Sequence, residues 1–244
     1  MKIAISGTYS TGKSTLCAAL SYLTGIPATH ARTMREILPT TFPGVALEQC
    51  GTSQLMELGI RRFTERIKAE LKTGNKFVSD GCSLQEWLYG STRIKTGLNP
   101  SENPEKVSEW ISNNSYEWQI FQQTIGAFEK VTKDYAKKNY DVFIHLPVEF
   151  PFTPDGHRPT SEIFRNGSDK SLRQAYDELN ISPFEIGGNM YDRLNSIIKY
   201  LNIKTIMSIE SAIDLVDIKK KSGAFNIQIE ERNAEKSDLF DSHT

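Results

Sequence analysis

The chain has 244 residues, 38% of them hydrophobic, with a net charge of -1 and a mean hydropathy of -0.42. That is enough to bury a sizeable core, and no apolar stretch approaches the roughly 20 residues a membrane span needs. The charge balance gives no global attraction to nucleic acid. Cys17, Cys50 and Cys82 show neither metal-ligand spacing nor the even number of a disulfide framework.

Lys2-Ile3-Ala4-Ile5-Ser6 reads as a first strand. Gly7-Thr8-Tyr9-Ser10-Thr11-Gly12-Lys13-Ser14-Thr15 follows it and fits G-x-x-x-x-G-K-[ST] without mismatch. Glycines let the backbone turn several N–H groups toward one point, and a helix opening near Gly12 adds the positive end of its dipole. In such a phosphate loop (P-loop) Lys13 reaches the β- and γ-phosphates, and the Ser14 hydroxyl binds Mg2+. The strand before and the helical Leu16-Cys17-Ala18-Ala19-Leu20 after supply the context that separates this from a chance turn. A nucleoside triphosphate is the expected ligand.

Residues 25–29 predict a second short strand, leaving through His30-Ala31-Arg32 until Pro39 breaks the chain. Leu55, Leu58, Arg62, Ile67 and Leu71 recur near helical spacing and predict a helix over 47–71. Residues 76–81 predict a third strand ending in Asp80, followed by a helix carrying Leu84, Trp87, Leu88 and Tyr89. After a loop at 97–104, residues 106–139 are helical again, with a break at Asn113-Asn114-Ser115. A fourth strand at 141–147 is apolar nearly throughout, as suits a parallel strand covered on both faces. A polar loop at 152–167 precedes a helix at 168–180, then a fifth strand at 184–186. Asn189 caps a helix whose Met190, Leu194, Ile197 and Leu201 share one face. Residues 206–216 read as strand or helix, Lys219-Lys220-Lys221 is a solvated charge run, and the polar last residues are expected to fray.

Strands alternating with helices predict an α/β fold. The expected form is a P-loop NTPase: a doubly wound parallel five-stranded sheet with helices on both faces and a lid loop. A kinase-like domain is expected over 1–204, with the lid at about 151–167 and a helical acceptor-side region at about 84–139. Residues 205–244 form a C-terminal extension. Direct entry into a strand, without a basic region or cleavage site, predicts a cytoplasmic protein.

Ligands of such sheets sit at the carboxyl ends of the strands. Asp80 emerges there and suits two roles, holding Mg2+ through water or accepting a proton from a substrate hydroxyl; capping the next helix is compatible with either. Arg158, and Arg165 seven residues on, are expected to fold over the triphosphate, unless Asp155-Gly156 and its prolines make an ordinary surface turn. His30 and Arg32 leave toward the same edge, where an acceptor would bind; alternatively Arg32 pairs with a helix carboxylate. Trp87, Tyr89, Trp110, Tyr116 and Trp118 are expected chiefly in the core, one or two of them stacking on a flat acceptor.

The chain resembles the phosphate-loop kinases that include the nicotinamide-riboside kinase domain of NadR-type proteins. The stretches that carry this are Gly7 to Thr15, Ala31-Arg32 with Met34-Arg35-Glu36, Asp80 at its strand end, and Asp155-Gly156-x-Arg158. Tyr191-Asp192-Arg193-Leu194 is a softer match, where such kinases often contact the adenine side. Together these cover about residues 1–202. The family often has Glu before the Ala-Arg pair; here it is His30, so nicotinamide riboside is not carried over as substrate.

What the resemblance and motifs imply is an ATP-dependent phosphotransferase that uses Mg2+ and moves the γ-phosphoryl group to a hydroxyl of a nucleoside-like or other small molecule. Lys13, Asp80 and Arg158 are the expected catalytic residues. Gly7, Tyr9, Ser10, Thr11, Gly12, Lys13, Ser14, Thr15, Arg158, Arg165 and Arg193 would contact the nucleotide. His30, Arg32, Asp80 and Tyr89 would contact the acceptor, and Ser14 and Asp80 the metal. Two other classes remain open. One is a kinase for a nucleic-acid hydroxyl or modified base, held by a basic groove of Arg61, Arg62, Arg66 and Lys68. The other is a nucleotide-gated switch with a protein or lipid partner. No Asn-Lys-x-Asp guanine motif is present, which favours adenine.

Overall fold

The five expected strands form one parallel sheet in the order β2-β3-β1-β4-β5 in the computed structural model, which describes residues 1–98, 104–151 and 161–222. They are β1 (Lys2–Ser6), β2 (Ala28–Thr29), β3 (Phe77–Asp80), β4 (Val142–His145) and β5 (Phe184–Glu185). Ile5 pairs with Asp80 and Ser6 with His145, so the chains leaving β1, β3 and β4 emerge side by side. That level edge positions the site.

Alternation along β1 sorts the two faces. Ile3 and Ile5 join Leu16, Leu20, Val78 and Ile144 beneath α1 (Lys13–Thr24), α8 (Met190–Leu201) and α9 (Ile209–Lys221). Ala4 faces the opposite way, into a core of Trp87, Phe121, Phe128, Phe143 and Tyr176. That core is built by α3 (Thr52–Thr73), α4 (Leu84–Thr96), α6 (Ser115–Asn139) and α7 (Glu162–Leu179). Helices α2 (Met34–Thr41) and α5 (Pro104–Asn113) complete the described elements. The expected break between α5 and α6 falls at Asn114.

Several boundaries differ from the sequence expectation. Pro39 lies inside α2 rather than ending the chain's helical course. Its missing N–H falls near the helix end, where the Thr40 and Thr41 hydroxyls both donate to the Ile37 carbonyl. The helix expected over 47–71 is split: a short 3-10 turn at Leu47–Gln49 precedes α3, whose N-cap Gly51 donates its N–H to Gln54 Oε1 at 3.0 Å. Helix α7 starts at Glu162, six residues before the expected 168, because Ser161 caps it by accepting the Phe164 N–H. Residues expected as an extension past 204 add a helix to the same core: Ala212 and Val216 of α9 are buried in it.

Candidate active site

The loop between β1 and α1 is forced open toward its ligand side by three left-handed positions, Gly7 (φ 135°), Ser10 (φ 59°) and Gly12 (φ 90°). At Gly7 a Cβ would stand 2.5 Å from the Leu146 carbonyl oxygen, so glycine alone fits this close approach of β1 and β4. Gly12 is the N-cap of α1, and no side chain caps it. The first-turn N–H groups are therefore available to an anion. Within the loop, Thr11 Oγ1 and the Lys13 ammonium both donate to the Thr8 carbonyl. Thr8 Oγ1 is buried without a hydrogen-bond partner among the described residues.

Three side chains from elsewhere hold the loop's carbonyls outward. Gln85 of α4 donates to the Gly7 carbonyl while its Oε1 accepts the Cys82 N–H at 2.9 Å. Arg165 of α7 donates to the Ser10 carbonyl at 3.3 Å and to the Phe150 carbonyl at 2.7 Å. Arg193 of α8 donates to the Thr11 carbonyl at 2.8 Å and to Glu149 at 2.7 Å. Arg165, expected on a lid, lies instead on a helix, and both arginines are buried against loop backbone. Arg158 and the rest of residues 152–160 lie outside the described residues.

On the other side of the loop stands Asp80. His30 Nδ1 is 3.5 Å from Asp80 Oδ2, and His30 Nε2 is 3.8 Å from Glu36 Oε2. Burial alone would raise the Asp80 carboxyl, but hydrogen bonds from His30 and Ser14 and the charge of Lys13 hold it at about 2. Glu36 is likewise opposed by burial yet held at about 2 by His30 and by Thr33, whose N–H it accepts at 2.6 Å. His30 is lifted from 6.5 to about 9, first by its bond to Asp80 and then by that to Glu36. The imidazolium is thus clamped between two carboxylates.

The expected residues separate into groups. Gly7 to Thr15, Asp80 and His30 converge on one edge. Arg32 pairs with Glu65 at 2.9 Å, the alternative considered for it. Tyr89 packs with Tyr9 and Phe164, ring centroids 6.1 to 6.4 Å apart. Trp87 and Trp118 are buried, while Tyr116 is exposed. The expected basic groove does not assemble. Arg62 and Arg66 are turned inward onto Glu86, both at 2.6 Å, Arg61 pairs with Glu57 at 2.7 Å, and Lys68 lies 3.8 Å from Glu65. Helical spacing puts these cations on different faces of α3.

Sequence reading passed over Glu149 and the Arg66–Glu86 pair, and Glu36 entered it only as part of the resemblance, with no role at the site. Thr33-x-x-Glu36 is a capping-box pattern that could have flagged Glu36; Glu149 and Glu86 find their arginines only through the fold. Among the described residues no group of three or more His, Cys, Asp or Glu could hold a metal ion. Mg2+ that accompanies a nucleotide is carried mainly by phosphate oxygens and waters, with one or two protein oxygens added. The Ser14 hydroxyl and the Asp80 carboxylate, hydrogen-bonded to each other beside the loop, fit that role. Among the described residues no helix is long and apolar enough to cross a membrane.

A family model described as AAA domain, AAA_28, matches residues 2–193. No curated protein matches the chain significantly. Among solved structures the chain is similar to deoxyadenosine kinase from M. mycoides with bound dATP, at a TM-score of 0.55 and 16% identity, covering 83% of this chain and 100% of that one. The same enzyme with bound dCTP gives a TM-score of 0.51 and 16% identity, covering 83% and 99%. At such identity the likeness establishes a shared P-loop α/β fold.

Proposed function

The chain belongs to the AAA domain family AAA_28, and on that premise we propose that it is an ATP-dependent kinase acting on a hydroxyl of a nucleoside-like small molecule. The observation that carries this reading is the ionised Asp80 carboxylate beside Ser14 and Lys13, at the mouth of a phosphate loop. A carboxylate at that point helps to hold Mg2+ in kinases and switches alike; in a kinase it can also place the acceptor hydroxyl. Likeness in fold to a deoxyadenosine kinase supports a nucleoside-like acceptor. A cytoplasmic location accords with this substrate class.

Phosphoryl transfer of this kind is chiefly positioning and charge neutralisation. The N–H groups from Ser10 to Lys13 cradle the phosphates of ATP, and the Lys13 ammonium swings from the Thr8 carbonyl to the β- and γ-oxygens. Mg2+, when bound, supplies positive charge across the same oxygens. Ser14 and Asp80 would hold it, directly or through water. A carboxyl held at about 2 is a weak proton acceptor, so Asp80 orients the acceptor hydroxyl by accepting its hydrogen bond, and takes the proton only late. His30 and Glu36 fix Asp80 in place. Arg158, which the resemblance makes a lid residue, is proposed to neutralise charge on the transferring group. Arg165 and Arg193 shape the nucleotide site by holding its loop, and Arg193 also lies with its Cζ 5.8 Å from the centre of the exposed Phe150 ring.

The test is incubation with Mg·ATP and a library of nucleosides, sugars and related metabolites, read by mass and phosphorus NMR. A member of the library gains one phosphate, and Lys13→Ala abolishes this by a factor of about 1,000 or more with the fold intact. Release of ADP and free phosphate alone would replace the kinase reading with that of a nucleotide-gated switch.

A further inference from the structure

Arg62 and Arg66 stand one helical turn apart on α3 and turn toward the same carboxylate. It belongs to Glu86, in the first turn of α4, whose side chain is fully buried. Arg66 donates from Nε to Glu86 Oε1 at 2.8 Å, and Arg62 Nε lies 2.6 Å from Glu86 Oε2. Two cations at this helical spacing repel each other. The carboxylate between them is what lets both be held inward.

Each arginine uses another of its donors on the backbone of a different segment at the candidate site. Arg62 Nη1 donates to the Arg32 carbonyl at 3.1 Å, two residues past His30. Arg66 Nη1 donates to the Asp80 carbonyl at 3.3 Å and to Ser79 Oγ at 3.1 Å. These carbonyls lie on the chains leaving β2 and β3. The pairing of those two strands ends at Thr29 opposite Ser79, where the Thr29 hydroxyl donates to Ser79 Oγ at 3.2 Å. Past that point the sheet no longer sets the spacing of the two segments, yet His30 Nδ1 stands 3.5 Å from Asp80 Oδ2. We infer that Glu86 is a positioning residue for the acceptor site: through Arg62 and Arg66 it fixes the backbone of both segments, and so the approach of His30 to Asp80. Only the word acceptor rests on the kinase reading; the spacing of His30 and Asp80 stands without it.

The two arms are not equally secured. Arg66 has a second carboxylate, Glu70, at 3.7 Å, and is buried. The Arg62 side chain is 19% exposed and can turn its charge to water once Glu86 is neutral. Glu86→Gln keeps the shape and removes the charge, so it is expected to release the Arg32 arm first. An ion pair that only filled the core would lower stability in the same variant and leave the geometry of the folded site unchanged.

The experiment compares the wild-type full chain with Glu86→Gln and with Val216→Ala. Val216 is buried in the core on the opposite face of the sheet, so its truncation lowers stability away from this network. The first readout needs no acceptor. It is the His30 imidazole signal in proton–carbon NMR at fixed pH, identified as the one missing from His30→Gln. That signal shifts in Glu86→Gln and stays in place in Val216→Ala. The second readout is steady-state kinetics with an acceptor found by the library screen. Its KM rises and its kcat/KM falls roughly 10- to 100-fold, the scale of a small misplacement of reacting groups, while KM for ATP is unchanged. A merely destabilised enzyme instead loses kcat with its folded fraction at unaltered KM. Should Glu86→Gln not fold, Arg62→Gln breaks the Arg32 arm alone and must move the same signal. An unmoved His30 signal in the folded variant, an equal shift in Val216→Ala, or an unaltered acceptor KM overturns the inference. Failure of the kinase reading looks different: the His30 signal moves as expected while no member of the library gains a phosphate.

Discussion

Arg193 donates from Nη1 to the carbonyl of Thr11 at 2.8 Å, joining residues 182 positions apart. Its other terminal nitrogen bonds Glu149 at 2.7 Å, and Glu149 in turn accepts the Gly188 N–H at 2.9 Å. The shape of the phosphate loop thus depends on a side chain from the far end of the domain. Arg193→Lys keeps the charge but cannot fork to both partners. It is expected to cost about 2 kcal/mol in urea unfolding and to weaken ATP binding roughly tenfold. Unchanged ATP affinity would mean that the loop keeps its shape unaided.

Beneath Asp80, Arg66 is buried with Glu86 at 2.6 Å, bonds Ser79 Oγ at 3.1 Å, and donates to the Asp80 carbonyl at 3.3 Å. Ser79 passes the contact on to Glu70, which also accepts from Tyr135 and Tyr140. Arg66→Met leaves Glu86 and Glu70 buried beside a vacated countercharge. The expected loss is about 3 to 5 kcal/mol, read from denaturant midpoints. Replacing Arg66 and Glu86 together by Met and Leu is expected to recover only part of it, because Arg62 then loses Glu86 and Glu70 still lacks Arg66.

His30 predicts a pH dependence with a definite sign. Its ordinary value of 6.5 is raised to about 9, so its contribution to stability is full below 6.5 and is lost as the pH climbs through about 9. Asp80 and Glu36 are lowered to about 2, so theirs is full above about 4.5 and lost as the pH falls toward 2. Stability should be highest between these limits. His30→Gln is expected to flatten the alkaline decline; a decline of the same steepness in the variant would remove His30 as its source. Both are measured as urea midpoints at about pH 6 and about pH 9.

The loop and the five strands around it were legible because the motif is local and each strand is a short apolar run; their order in the sheet was not. What was missed depends on contacts distant in sequence. Asn166-Gly167 looked like the end of a loop and Ser168 like the start of the helix, yet Gly167 is the point where α7 meets α4: a Cβ there would lie 3.4 Å from the Thr92 methyl. Ser168 bonds the Thr92 hydroxyl at 3.1 Å. Tertiary packing overrides the weak helix propensity of that triplet. Arg62 and Arg66 read as exposed charge because nothing near them in sequence announces Glu86, twenty residues from Arg66. Arg165 and Arg193 were placed in the right neighbourhood, but their buried bonds to loop carbonyls follow from helices that close over the sheet only in three dimensions.

Two glycines with positive φ separate backbone strain from close approach. Gly44 (φ 78°) has nothing within 4 Å of where a Cβ would be, so Gly44→Ala carries only the left-handed conformational cost, about 1 kcal/mol. Gly7 (φ 135°) carries that kind of cost and also places the methyl 2.5 Å from the Leu146 carbonyl oxygen. The carbonyl cannot retreat easily, since Leu146 is fully buried and its own N–H donates to Ser6 at 2.9 Å. Gly7→Ala must therefore push β1 and β4 apart at the mouth of the site. A loss of about 3 kcal/mol or more is expected from strain and overpacking together, with ATP binding abolished. Gly44→Ala should bind ATP as the parent does. Equal stability losses in the two variants would show that the close approach of Gly7 to Leu146 is not what requires glycine at the start of the loop.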